Sequence, residues 1–225
     1  MIEDKYGFAI LHEPSSCDRH PAIASKGHFT GSLMVGSWPG RVLHVESLLE
    51  HKWAHCLNAH PKTRTLREQV GFVWQNGQKK RPTHYFDLFV EQTDGKLIAY
   101  TVKPEAHLTA SFMAEIACVA RQAKVAGFVD DVRLLTDADL DPIELENARL
   151  TYAMRVPDAE ADSAAAAVVA AMSGIATLGD LTSRIGLNAR GYRALIRQIR
   201  AGIVRAAHHE RITHKTEVFK AGTPA

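Results

Sequence analysis

Apolar positions along the chain alternate between two periods. Val45, Leu48, Leu49, Trp53, Cys56 and Leu57 recur at three- and four-residue spacing, which predicts an amphipathic helix that Pro61 ends. Strand-type alternation follows. Val70, Phe72 and Trp74 alternate up to an Asn76-Gly77 turn. His84 to Val90 then places Phe86, Leu88 and Val90 on one face and Tyr85, Asp87 and Phe89 on the other. Thr93-Asp94-Gly95 signals a hairpin turn, and the returning run Leu97 to Lys103 stops at Pro104. Leu108, Phe112, Ile116, Val119 and Ala123 form a second helical stripe closing at Gly127. Val129 to Leu135 reads as a strand and Pro142 to Tyr152 as a short helix. The predicted order α-β-β-β-α-β describes one α/β (α+β) domain with a mixed sheet, assigned to residues 41–156.

Residues 1–40 are rich in Gly, Ser, Pro and His with little periodicity, and read as an irregular N-terminal arm. Pro157 to Asp162 is a short, charged, Pro-led linker. Beyond it lie an Ala-rich helix (Ala164 to Met172), a second helix (Thr177 to Ile185) and a third (Asn188 to Ala201), which Gly202 closes. Ile203-Val204 and Glu217-Val218-Phe219 flank a basic, His-rich segment suited to a hairpin. Three helices plus a hairpin within residues 160–220 predict a small winged helix-turn-helix domain.

The 225 residues suffice for one large domain or two small ones, and 46% apolar with 23% charged residues is globular composition. No stretch approaches the roughly 18 apolar residues of a membrane span, and Met1-Ile2-Glu3-Asp4-Lys5 lacks the layout of a signal peptide. Cys17, Cys56 and Cys118 are odd in number and far apart, as reduced thiols are. The expectation is a cytoplasmic protein without a membrane partner. Its net charge of +2 is unevenly spread: Ser173 to Lys220 holds nine Lys or Arg against three acids, a surplus of six. Such a surplus points to a polyanion. Arg190, Arg193, Arg197 and Arg200 on the third helix, with Lys215, are the candidate DNA contacts. A docking face for a partner protein is the alternative.

Candidate chemistry gathers on the hairpin. Across the Thr93-Asp94-Gly95 turn, Asp87 and the Thr101/Lys103 pair can converge near one end. A carboxylate there can hold Mg²⁺, which takes oxygen ligands. A lysine beside it can orient water or offset charge on a phosphate in flight. Glu46, near the start of the first helix, is a second candidate ligand or base.

Val45-Glu46-Ser47-Leu48-Leu49-Glu50, Glu68-Gln69, His84-Tyr85-Phe86-Asp87, Asp94-Gly95 and Val102-Lys103-Pro104, in that order, resemble the TnsA-like transposon-end endonucleases. Those belong to the restriction-endonuclease-like PD-(D/E)xK superfamily. The resemblance covers about residues 30–150, and a basic winged helix behind them matches that family's domain order. It implies a Mg²⁺- or Mn²⁺-dependent DNA endonuclease that hydrolyses a phosphodiester bond as the end-cleaving subunit of a heteromeric transposase. Its partners would be DNA, a transposase subunit and an ATPase regulator, with self-association compatible. The resemblance assigns Glu46 and Asp87 as metal ligands and Lys103 as the catalytic lysine. Thr101 departs from the pattern, standing where the family has an acid or Gln, and Glu115 on the following helix is the candidate replacement acid. Without a replacement, the expectation is a weakened or inactive DNA-binding or adaptor subunit on the same fold.

Overall fold

The computed structural model describes residues 10–20, 29–77 and 81–222. Expectations placed on residues 1–9 and 21–28 of the arm, and on 78–80 after the Asn76-Gly77 turn, lie outside them. The chain is mixed α/β and separates into two compact units: residues up to Asn58 with Lys62–Leu140, and Ala59–Pro61 with Asp141 onward. No helix among the described residues is long and apolar enough to cross a membrane.

The first unit opens with a hairpin where an irregular arm was expected. β1 (Gly31–Val35) pairs antiparallel with β2 (Arg41–Val45). Leu33, Val35, Leu43 and Val45 are its buried face. Two positive-φ glycines, Gly36 at +81° and Gly40 at +84°, turn the chain between the strands, as only glycine does without strain. Helix α1 (Leu48–Ala59) therefore begins later than its apolar stripe suggested, because Val45 belongs to β2. Ser47 and Glu50 set the helix start. Ser47 Oγ accepts from Glu50 N at 3.1 Å, and Glu50 Oε2 accepts from Glu46 N at 2.9 Å, a capping box whose return bond reaches one residue before the cap.

A four-stranded sheet follows in the order β3 (Thr63–Val73), β4 (Thr83–Gln92), β5 (Leu97–Val102), β6 (Asp131–Leu135). It is mixed: β3–β4 and β4–β5 are antiparallel and β5–β6 is parallel. A 3₁₀ turn (Glu105–His107) and α2 (Ala110–Val125) carry the chain from β5 to β6. Val119 and Ala123 of α2 pack on Val70, Phe86, Phe89 and Ala99. Trp53 of α1 is buried as its stripe requires, and its indole nitrogen donates to Thr136 O at 2.9 Å. Phe112 of α2 is half-buried.

One sequence expectation is corrected here. Phe86 and Leu88 do not share a face. Val70 pairs with Phe86 in the α2-facing core, whereas Glu68, opposite Leu88, turns its carboxylate to Arg41 and the backbone of His44 in β2. Opposed residues of a ladder share a face, so the faces of both strands exchange between these pairs. The intervening residues are Gln69 and Asp87. Gln69 stands at φ +49°, and this left-handed residue, skipped by the ladder, produces the exchange.

The second unit comprises α3 (Pro142–Ala153), α4 (Ala159–Ala170), β7 (Ile175–Thr177), α5 (Leu178–Ile185), α6 (Asn188–Arg200), β8 (Val204–Ala206) and β9 (Glu217–Lys220). Its three short strands form an antiparallel sheet in the order β7-β9-β8. Ala161, Ala165 and Val169 of α4 close the core against Leu178, Leu181, Leu195 and Ile196. α3, which the sequence placed with the first domain, lies on this side of the division. The Asn147 amide explains its place: it donates to Glu210 O at 2.8 Å and accepts from Ile212 N at 2.9 Å in the β8–β9 loop.

Gly191 in α6 sits where a Cβ would lie 2.9 Å from Ile185 Cγ2. Gly→Ala inside a helix normally gains about 1 kcal/mol, but overpacking costs roughly 1–3 kcal/mol. Gly191→Ala is expected to lower the urea midpoint, and Ile185→Ala to be less damaging in that background than alone. Additive losses would show that the two sites do not touch.

Candidate active site

The exchange of faces at Gln69 and Asp87 leaves both side chains free of the normal ladder. The β4–β5 pairing ends at Leu88–Tyr100, and Asp87 Oδ2 takes the next free amide itself, accepting from Val102 N at 2.7 Å. Asp87 thus sits where the β4–β5 ladder opens. The side chain keeps some solvent access while being densely surrounded by protein.

Burial and two further carboxylates act on Asp87. Burial is the largest influence, the Glu50 carboxylate adds to it, and Glu46 contributes a smaller push. Hydrogen bonding from Val102 N and support from Gln69 work in the other direction, and the net effect is a rise from 3.8 to about 7. The buried Nε2 of Gln69 meets no acceptor at standard hydrogen-bond geometry, so its support is a looser polar contact. Glu50 is itself buried, and burial raises its carboxyl too, against the hydrogen bonds from Glu46 N and Ser47. Carboxylates crowded in this way favour a shared proton or a cation.

A cation is already present. Arg19, from the N-terminal arm, donates through Nη2 to Glu46 Oε2 at 2.5 Å and to Gln69 Oε1 at 2.6 Å. Its guanidinium lies 5.2 Å from the centroid of the Tyr85 ring. Nearby, Glu68 is fully buried and satisfied by Ser15, Arg41 and His44 N.

The remaining expected site residues gather around α2. Thr101 Oγ1 lies 3.2 Å from His84 Nε2, and the His84 ring packs edge-on against Phe86. Burial holds the His84 imidazole below its usual value, opposed by the charge of Glu115, which is exposed on α2. Lys103 Nζ sits 5.3 Å from the centroid of the Phe112 ring, and Lys103 N donates to Leu135 O at 3.0 Å. Glu50, Gln69 and, least, Glu46 accordingly act on Asp87, while Thr101 and Glu115 act on His84 and Lys103 meets Phe112.

Sequence reasoning missed Glu50, Gln69 and Arg19 as participants. Ser47-x-x-Glu50 was legible as a capping box, and Glu68-Gln69 was noted without a role. Nothing local to Arg19 signals its contacts, made across 27 and 50 residues of chain.

A divalent cation fits this arrangement in part. Burial raises the proton affinity of both Asp87 and Glu50, and a neighbouring cation would relieve it. Glu46 is engaged by Arg19, and among the described residues no three His, Cys, Asp or Glu side chains already converge as a preformed metal cage.

On the second unit, most of the α6 arginines meet local partners. Arg190 grips Asp158 through two 2.7 Å bonds and Glu160 through a third of the same length. Arg197 is only 14% exposed and reaches Asp162 at 2.7 Å. Burial, then the charge of Arg155, lowers the Arg200 guanidinium's affinity for its proton. Arg193 and Lys215 are exposed.

No protein-family model matches the chain, and comparison with curated proteins gives no match either.

Folding makes Asp87 hold its proton more tightly than in the unfolded chain. Its stabilising contribution is therefore complete below about pH 3.8 and is lost as pH rises through about 7. Asp87→Asn cannot ionise. It is expected to be more stable than wild type above pH 7, by about 1.4 kcal/mol per unit of rise, with the difference closing towards pH 4. Denaturant midpoints across this range check it; parallel pH profiles would place Asp87 in an ordinary, solvated setting.

Proposed function

We propose that the chain is a metal-dependent DNA endonuclease with a restriction-endonuclease-like core followed by a winged helix. In this reading it is the end-cleaving subunit of a heteromeric transposase, working in the cytoplasm with a transposase subunit and an ATPase regulator. The observation that carries the reading is Asp87 itself, a carboxylate held by Val102 N where the β4–β5 ladder opens and acted on by the charges of Glu50 and Glu46. The order α1-β3-β4-β5-α2-β6 around that point supports the nuclease core. The order α4-β7-α5-α6-β8-β9 supports the winged helix.

Asp87 and Glu50 would hold the Mg²⁺ or Mn²⁺ ion, with Glu46 beside them. The ion would supply an activated water and offset the charge of the phosphodiester. Asp87 is positioned for this by the backbone of Val102, and Glu50 by its capping box, so neither carboxylate needs to be ordered on binding. Lys103 would have to leave the Phe112 ring to face a phosphate. Of the expected DNA contacts, Arg193 and Lys215 are the exposed ones, because Arg190 and Arg197 join α4 to α6.

A specific set of contacts favours the second reading, a DNA-binding or adaptor subunit that no longer cuts. Lys103 rests on Phe112, Thr101 on His84, and Glu46 on Arg19.

Nicking of supercoiled plasmid in millimolar Mn²⁺ separates the two. The endonuclease reading expects nicking that Asp87→Ala abolishes and Glu50→Gln reduces by at least about tenfold, a loss of about 1.4 kcal/mol in transition-state stabilisation. Thr101→Glu should raise the rate, and Glu115→Ala, altering an exposed residue beside His84, should leave it unchanged. A wild-type chain that nicks nothing, even with a transposase and ATPase supplied, belongs to the adaptor class.

A further inference from the structure

Arg19 contributes the positive charge nearest Glu46 and Gln69, and its field also reaches Glu50. Its side chain is 43% exposed and that of Glu46 30%, so the pair sits at the mouth of the cluster rather than beneath it. The backbone that carries Arg19 is held by other bonds. Asp18 N donates to Gln69 O at 3.2 Å, and Asp18 Oδ2 accepts from Gly71 N at 2.9 Å. Arg67 Nη2 donates to Ser16 O at 3.2 Å, and Ser15 Oγ donates to Glu68 at 2.5 Å. The arm can therefore stay docked while one guanidinium swings.

We infer that Arg19 is the built-in counter-ion of the Asp87 cluster, a positioning residue whose guanidinium competes with a divalent cation for Glu46. The inference rests on the metal-site reading above and adds a residue to it. With no divalent cation, Arg19 offsets carboxylates that would otherwise repel one another, and it holds Glu46 and Gln69 in place. A divalent cation would displace the guanidinium from Glu46, and the Tyr85 face, over which the guanidinium already lies, would keep it at the site's edge. Arginine suits this role because its planar fork can serve two acceptors at once, here Glu46 and Gln69.

Binding of Mn²⁺ to the full chain, read from the loss of the free-ion paramagnetic resonance signal, tests it without reference to cleavage. Arg19→Ala and Arg19→Gln should each bind Mn²⁺ about tenfold tighter than wild type, the order expected from removing one neighbouring charge at a partly exposed site. Arg19→Lys, which keeps the charge but not the fork, should fall between. Arg67→Ala loosens the same arm without touching the cluster and should leave the affinity unchanged. Asp87→Asn should abolish binding in every background. Unchanged or weaker binding in both Arg19→Ala and Arg19→Gln, with Asp87→Asn still abolishing it, would overturn the competition and leave the metal site standing. An Arg67→Ala effect as large as that of Arg19→Ala would assign the change to arm loosening and also overturn it. If neither wild type nor any Arg19 variant binds Mn²⁺ at Asp87, the metal-site reading fails and the inference fails with it.

Discussion

Gln69 adopts φ +49° in the middle of an 11-residue strand, and much of the first unit follows from that torsion. A side chain in the left-handed region costs of order 1–3 kcal/mol, and it persists only where the surroundings over-determine it. Here they do. Leu66 and Glu68 on one side of Gln69 are buried, as are Val70 and Trp74 on the other, and no single strand face could bury all of them against both β2 and α2. The inversion resolves the conflict by letting one strand serve two layers. Its by-product is a pair of polar residues, Gln69 and Asp87, released from the ladder at the centre of the unit. Strain, an opened ladder and crowded carboxylates all coincide there.

The parts of this arrangement that sequence periodicity could reach are those made by regular elements. The β4–β5 hairpin, the α2 stripe and the helices α4, α5 and α6 of the second unit follow from two- and 3.6-residue repeats together with Gly and Pro punctuation. The first hairpin was equally legible, since Leu33/Val35 and Leu43/Val45 alternate, but Gly36, Pro39 and Gly40 between them give the segment the composition of a loop. What periodicity cannot show is a torsion that changes a strand's phase. Counting by twos from Phe86 to Val90 assumes an unbroken alternation of faces, and the exchange of faces beside Gln69 breaks that assumption. The candidate site was legible to the same degree. Asp87 stands out because a carboxylate inside an apolar strand needs a reason, whereas Ser47-x-x-Glu50 has the spacing of an ordinary cap and Arg19 lies in a segment without pattern.

Charge counting has a similar limit in the second unit. The surplus of basic residues from Ser173 to Lys220 stops short of Asp158, Glu160 and Asp162, the acids that Arg190 and Arg197 actually meet. Arg190 draws the Asp158 carboxyl down to about 2, chiefly through the hydrogen bonds between them. These pairs join the first turn of α4 to α6, where acids also complement the helix dipole. A row of arginines at helical spacing is in this case partly an internal fastening between two helices. The net surface charge left for a polyanion is smaller than the composition suggests.

Asn147 links α3 to the β8–β9 loop in a way that bears on how the loop can change over time. Its amide gives a hydrogen to the carbonyl of Glu210 and takes one from the nitrogen of Ile212. A neighbouring chain running parallel to the loop would contact Arg211 in the same way, so this side chain imitates a peptide unit. The primary amide carries both donor and acceptor in one plane. Insertions of a few residues can be absorbed on either side of Glu210–Ile212, but one between them would separate the two contacts. The loop is thus free to vary in length at its flanks while its middle keeps a fixed spacing, set by one residue of a helix more than 60 positions earlier.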